Sequence, residues 1–173
     1  MDCEECGFSY ESLSPADVPD TLRGFGKRYR IPLTRGLKGE DLDALLRAHP
    51  LDDTWSALEY VCHVRDVFRV QAERIGHALV QDSFHAEPMR RDELVHELAY
   101  NEQDPIEVAD DLAANADALA SVFEALSEAE WERTFVYHVE GERTLVWVAQ
   151  HTVHEGEHHL LDVGRVLRVA RGR

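Results

Sequence analysis

The chain has 173 residues, enough for one domain with a sizeable core. Its 34 acidic residues outnumber 18 Lys and Arg, and the formal charge of −16 repels phosphate backbones, which argues against a nucleic-acid partner. No apolar run is long enough to span a membrane, and MDCEECGFSY lacks the blocks of a secretory signal, so a cytoplasmic protein with no membrane partner is expected.

Residues 1–15 read as a short irregular N-terminal extension, and residues 16–173 as one helical domain. A first helix is predicted over about Ala16 to Thr34, where Val18, Leu22, Phe25 and Tyr29 recur at helical spacing. Pro32 is expected to kink or shorten it. A short helix follows over about Glu40 to Ala48, and His49-Pro50 stops it. The next helix runs from about Thr54, its predicted N-cap, to Gln81, with Val61, Val64, Phe68, Ala72, Ile75 and Leu79 on one face. Periodicity fades between Asp82 and Asp104, which reads as a connection with turns or a short helix. Pro105, at an N1 position, opens a helix to about Leu126. TFVYHVEGERTLVW alternates around Glu140-Gly141, a hairpin or extended link, and a last helix spans about Thr144 to Arg168. Its arginine-rich end reads as an exposed, fraying terminus. Four long amphipathic helices in one chain predict an all-α four-helix bundle.

Three cysteines are too few for a disulfide scaffold. Cys62 lies in an apolar helical run and reads as a small buried hydrophobe. Cys3-x-x-Cys6 is open to three readings: half of a second metal site, a redox pair, or part of a frayed terminus. No second CxxC completes a four-cysteine site.

Four of the ten histidines fall within nine residues of the last helix, in HTVHEGEHH. Trp147, His151, His154, His158, Leu161 and Arg165 share one face, beside an apolar stripe of Ala149, Val153, Leu160, Val163 and Leu167. His154 and His158, one turn apart, can converge on one cation. The letters HEGEH match H-E-x-x-H, but little chain remains after His158 to build a protease cleft. A third ligand is needed, and His63 of the second long helix offers one; His151 is a competing or outer ligand. Glu59 and Asp66 could orient His63, and Asp162 could orient His158. His159 is expected on another face, meeting Glu155 or solvent. His77, His85, His96 and His138 read as surface or loop residues.

WSALEYVCHVRDVF followed by HTVHEGEHHLLDVGRVL resembles the DinB-like, or YfiT-like, family of bacterial four-helix metalloproteins. In that family a histidine of the second helix joins an HxxxH pair of the last. The resemblance implies His63, His154 and His158 as ligands of a divalent metal ion such as zinc or nickel. It also implies a homodimer and an unusual order of connections. Relatives include mycothiol-dependent maleylpyruvate isomerase and bacillithiol transferases, which implies a low-molecular-weight thiol as cosubstrate and a small-molecule electrophile as substrate. The mycothiol isomerase pattern has a glutamate where this chain has His154, a departure from that activity.

Three uses of such a site follow. The first is metal-dependent thiol transfer, with Tyr60, Arg65, Asn101 and Trp147 as candidate pocket residues. The second is hydrolysis, with Glu155 or Asp66 as base. The third is a non-catalytic, metal-stabilised binding or stress protein. A bundle with a histidine-rich seam and no metal is the plainest reading. No catalytic residue is assigned from sequence.

Overall fold

Helical periodicity becomes four long helices. The computed structural model describes residues 2–173, with Val139 described by its backbone alone. The long helices are α1 (Val18–Thr34), α3 (Ala57–Val80), α5 (Pro105–Glu124) and α7 (Leu145–Ala170). Shorter ones, α2 (Leu42–Arg47), α4 (Arg91–Glu97) and α6 (Glu128–Trp131), lie in the connections. Pro32 sits inside α1 without ending it: the helix runs on, and Arg35 N–H still reaches Ile31 O at 3.0 Å.

Polar side chains set the helix starts. Asp104 accepts from the Ile106 and Glu107 amides at the head of α5, and Thr144 accepts from the Trp147 amide at the head of α7. The N-cap of α3 is Ser56, two residues beyond the predicted Thr54. Ser56 Oγ accepts from Glu59 N–H at 3.2 Å, and Glu59 Oε2 accepts from Ser56 N–H at 2.7 Å. This capping box was legible as Ser-x-x-Glu.

Both α1 and α3 pack against α5 and α7, so α1 and α3 face each other across a diagonal. Short links join neighbouring helices in simple bundles; here the connection of residues 35–56, carrying α2, is long enough to cross. The core runs through Leu22, Phe25, Tyr29, Phe68, Leu112, Leu119 and Phe123, all essentially without solvent exposure. Two glycines allow close helix approach. A Cβ on Gly26 would lie 2.9 Å from Ala113 Cβ, between α1 and α5. A Cβ on Gly156 would lie 2.6 Å from the Phe25 ring, between α1 and α7. Beside it, Tyr29 Oη donates to Gly156 O at 2.7 Å, a buried bond that fixes the rotation of α7.

The expected hairpin forms from β2 (Thr134–Tyr137) and β3 (Glu142–Thr144), paired antiparallel. Gly141 closes its turn at φ +77°, where a side chain would be strained. The segment from Asp82 to Asp104 holds β1 (His85–Ala86), which pairs parallel with β2, then α4 and a 3-10 turn at Tyr100–Glu102. Two residues paired through distant chain leave no periodic signal. Residues 88–93, which follow β1, and Tyr137, at the end of β2, both line one pocket. Among the described residues no helix is long and apolar enough to cross a membrane.

Gly156→Ala is expected to destabilise the protein by about 1–3 kcal/mol, because the methyl overpacks against Phe25. Urea unfolding followed by circular dichroism checks it; an unchanged midpoint would show that α1 and α7 yield freely at this contact.

Candidate metal centre

His63 of α3 is 3% exposed, and neither of its ring nitrogens has a hydrogen-bond partner among the described residues. Opposite it, α7 presents Glu155 and His159. Glu155 Oε2 lies 3.8 Å from His63 Nε2 and 3.5 Å from His159 Nε2. The His63 and His159 rings meet edge to face with centroids 5.0 Å apart. Asp162 Oδ2 lies 3.0 Å from His159 Nδ1. With Nδ1–H donating to Asp162, Nε2 is left to face Glu155 and His63, as a proton donor when the ring is charged and as a ligand atom when a cation takes the proton's place.

Electrostatics in this cluster are coupled. Burial holds His63 below the ordinary histidine range, so it is neutral. Burial also disfavours charge on His159, but hydrogen bonds donated by its ring to Asp162 and Glu155 outweigh it and push its pKa up to about 9. Burial likewise works against ionised Glu155, yet its contacts with His159 and His63 hold it well below the usual carboxylate range. In the absence of a metal, a His159 imidazolium therefore faces the Glu155 carboxylate.

The structure does not bring His63 together with His154 and His158. Three sets of potential ligand atoms within 4.8 Å of one another occur among the described residues: His63, Glu155 and His159; Cys3, Cys6, His154 and His158; and His151, His154 and Glu155. The reason is helical register. The pairs 154/158 and 155/159 both have i, i+4 spacing, and one residue rotates a helix by about 100°. The Phe25–Gly156 contact turns the 155/159 pair toward α3 and leaves the 154/158 pair on the next face, under the N-terminal segment. The resemblance implied His154 as a ligand, with a glutamate there only in the mycothiol isomerase pattern; in this chain the carboxylate that faces His63 is Glu155, one residue on.

The other candidates are distributed as follows. Glu59 is bonded at the α3 cap and to His49 Nε2 at 2.8 Å, away from His63 orientation. Asp66 accepts from Tyr100 Oη at 2.6 Å and Arg65 Nε at 3.0 Å. Asp162 reaches His159 at 3.0 Å and also His158, 3.6 Å away. His151 stacks on Trp147 with centroids 4.7 Å apart, and its Nδ1 lies 3.0 Å from Tyr10 Oη. Tyr60 packs beside His159. Arg65 and Asn101 are bonded into a separate network with Gln103 and Ser56. The Cys3 thiol drops to about 6 under hydrogen bonds from the Cys6 backbone and the His154 side chain, whereas burial pushes Cys62 up to about 12 and leaves it inert.

His63 and Glu155 form part of the wall of a 590 Å³ pocket. Gln71, Arg74, Tyr137 and His151 continue it, and Arg90 and Arg91 stand on the α4 side. Tyr137 Oη accepts from Gln71 Nε2 at 2.6 Å and from Arg74 Nη1 at 3.3 Å. Arg74 also lies 5.1 Å over the Tyr137 ring and donates to Glu87 O. Among the described residues no carboxylate pairs with Arg74. Sequence patterning had no means to find Arg74, Tyr137 or Tyr10, because each reaches the site through tertiary packing.

The DinB superfamily profile matches residues 33–163. The chain belongs to the DinB superfamily. Its fold is shared with YfiT from Bacillus subtilis, described as a probable metal-dependent hydrolase with an unusual four-helix bundle topology. That match has a TM-score of 0.80 and 16% identity, over 91% of this chain and 90% of the other. A mycothiol-dependent maleylpyruvate isomerase matches with a TM-score of 0.69 and 15% identity, over 90% of this chain but 63% of its own length. A histidine-to-alanine variant of a mycothiol-dependent maleylpyruvate isomerase matches with a TM-score of 0.67 and 16% identity. No curated protein sequence matches.

The cluster of His63, Glu155 and His159 fits a divalent cation on its own chemistry. Two imidazoles and a carboxylate form a His₂Glu set, and donors bonded to one zinc at about 2.0–2.1 Å sit about 3.0–3.5 Å apart. The 3.5 and 3.8 Å separations are a few tenths of an ångström from closing on an ion. A cation would also satisfy the orphaned His63 nitrogen that faces it. Asp162→Asn is expected to lower zinc affinity by about 10- to 100-fold by loosening His159. Competition with a chromophoric chelator measures this; an unchanged affinity would remove Asp162 from the site, and wild-type metal content in His63→Ala would remove His63.

Proposed function

We propose that this chain is a divalent-metal-dependent enzyme that joins a low-molecular-weight thiol to a small electrophile, with zinc or nickel held by His63, Glu155 and His159. The observation that carries the proposal is a three-residue ligand set, two of whose members, His63 and Glu155, line a pocket large enough for organic molecules. Three protein ligands leave coordination positions for a reactant, as catalytic sites require. When bound, a divalent cation would stabilise the deprotonated form of a thiol or of water brought against it.

The chain's own residues do the rest. Asp162 orients His159 and keeps its Nε2 turned to the set. Arg74, held against Tyr137 and without a carboxylate partner among the described residues, is a docking point for an anionic group of either reactant. Val67 and Met89 line the pocket and limit water around it. Location in the cytoplasm and assembly as a homodimer belong to the same proposal; light scattering of the purified protein checks the dimer.

Hydrolysis at the same site is the second reading, favoured by the likeness to the YfiT fold. The bases considered for it are otherwise engaged. Glu155 serves here as a ligand, and Asp66 is bonded to Tyr100 and Arg65. Turnover of small electrophiles, with and without added thiols, separates the readings. Thiol transfer predicts consumption of both reactants and loss of activity in His159→Ala. Turnover that ignores thiol would assign hydrolysis; metal-linked stability without any turnover would assign a binding protein. Arg74→Gln is expected to raise KM for a carboxylate-bearing reactant by about 10- to 100-fold, the value of a charged hydrogen bond, with little change in kcat.

A further inference from the structure

The second ligand cluster lies outside that site. Residues 2–9 form a tight loop closed by a bridge between Asp2 and Ser9. Within it Cys3 N–H donates to Phe8 O at 2.9 Å, and Gly7 N–H donates to Cys3 O at 2.8 Å. Gly7 adopts φ +74°, a conformation that the Cys-x-x-Cys-Gly order supplies without strain. The loop brings both thiols against the face of α7 that carries His154 and His158. Cys3 Sγ lies 3.5 Å from His158 Nδ1, and ligand atoms of all four residues fall within 4.8 Å of one another.

We propose that Cys3, Cys6, His154 and His158 form a second, structural site for a zinc-type cation, which clips the N-terminal segment onto α7. The donor set is the two-thiolate, two-imidazole combination that closed tetrahedral zinc sites use. The spacings Cys-x₂-Cys and His-x₃-His are those that place each pair on one side of an ion.

The surroundings set the imidazoles up for this role. His154 Nδ1 lies 3.3 Å from Tyr10 Oη, and its Nε2 is buried without a partner among the described residues. With Nδ1–H donating to Tyr10, Nε2 holds the free lone pair. His158 is arranged the other way round. Its Nε2 lies 3.5 Å from Glu5 and 3.6 Å from Asp162, so Nε2–H faces carboxylates and Nδ1 faces Cys3. Two thiolates balance a divalent charge, so the clip adds no net charge at the helix face. The segment also rests on α7 through Phe8 and Tyr10 on His154, Tyr10 on His151 and Trp147, Arg165 beside Glu5, and Gln150 Nε2 donating to Leu13 O at 3.0 Å. A cation joining residues so distant in the chain would restrict the unfolded state strongly.

The two centres share no ligand, so this inference does not rest on the proposed activity. The test uses the full chain without an affinity tag, loaded with zinc under reducing conditions and desalted. About two zinc ions per chain are expected, falling to about one in Cys3→Ser/Cys6→Ser and to about one in His63→Ala/His159→Ala. Cobalt substitution should give thiolate-to-metal absorption that survives the second pair of changes and vanishes in the first. In the unmodified protein, zinc should shield Cys3 and Cys6 from alkylation and a chelator should expose them, which reads the site without any variant. Wild-type metal content in Cys3→Ser/Cys6→Ser, or alkylation indifferent to zinc, overturns the inference. A single ion lost only in Cys3→Ser/Cys6→Ser supports it and counts against the His63 centre instead.

Discussion

A carboxylate drawn between two imidazoles inside a helical bundle is the constraint from which the rest follows. The Glu155 side chain keeps 21% of its exposure and faces His63 and His159. Removing such a charge from water costs several kcal/mol unless a compensating charge and good geometry accompany it. Without a metal, the His159 proton supplies that charge, and Asp162 stabilises the proton from behind. A divalent cation at the same point would replace one proton with two charges and engage the nitrogen of His63 as well. The bundle thus holds an arrangement whose polar atoms are incompletely satisfied by protein alone.

What directs Glu155 inward is packing at its neighbour. Gly156 touches Phe25 ring carbons with no room for a methyl, and Tyr29 bonds its carbonyl. These contacts set the rotation of α7 about its axis, and the rotation assigns every polar side chain in HTVHEGEHH to a face. One face meets His63 across the bundle. The next meets the N-terminal loop. Interleaved i, i+4 pairs on one helix therefore serve two separate clusters without sharing a residue.

The small sheet completes the first of these. By pairing β1 with β2, it ties the segment before α4 to the strand that carries Tyr137, and both line the pocket. Arg74 enters that pocket from α3 with a phenol and a backbone carbonyl as partners. Among the described residues Arg74 has no carboxylate partner, so in a chain of charge −16 it is a local reversal of the surface field at the pocket wall.

Apolar spacing of 3.6 residues determined the four long helices, because burying one stripe of a helix demands that period wherever the helix packs. Asp104-Pro105 and Thr144 marked helix starts, since orphan amides need local acceptors. His63 and the histidine-rich helix were legible as metal-type chemistry for the same local reason: ligand pairs on one helix obey its geometry. The register of the pair was not. His154/His158 and Glu155/His159 have identical spacing, and only the contact of Gly156 with Phe25, more than a hundred residues away in sequence, decides between them. Tertiary structure alone likewise decided the diagonal placement of α1 and α3, the two-residue strand β1, and the meeting of Cys3 and Cys6 with α7. Local sequence carries what hydrogen bonding and helical period require within a few residues, whereas rotation and partner choice come from packing between segments far apart in the chain.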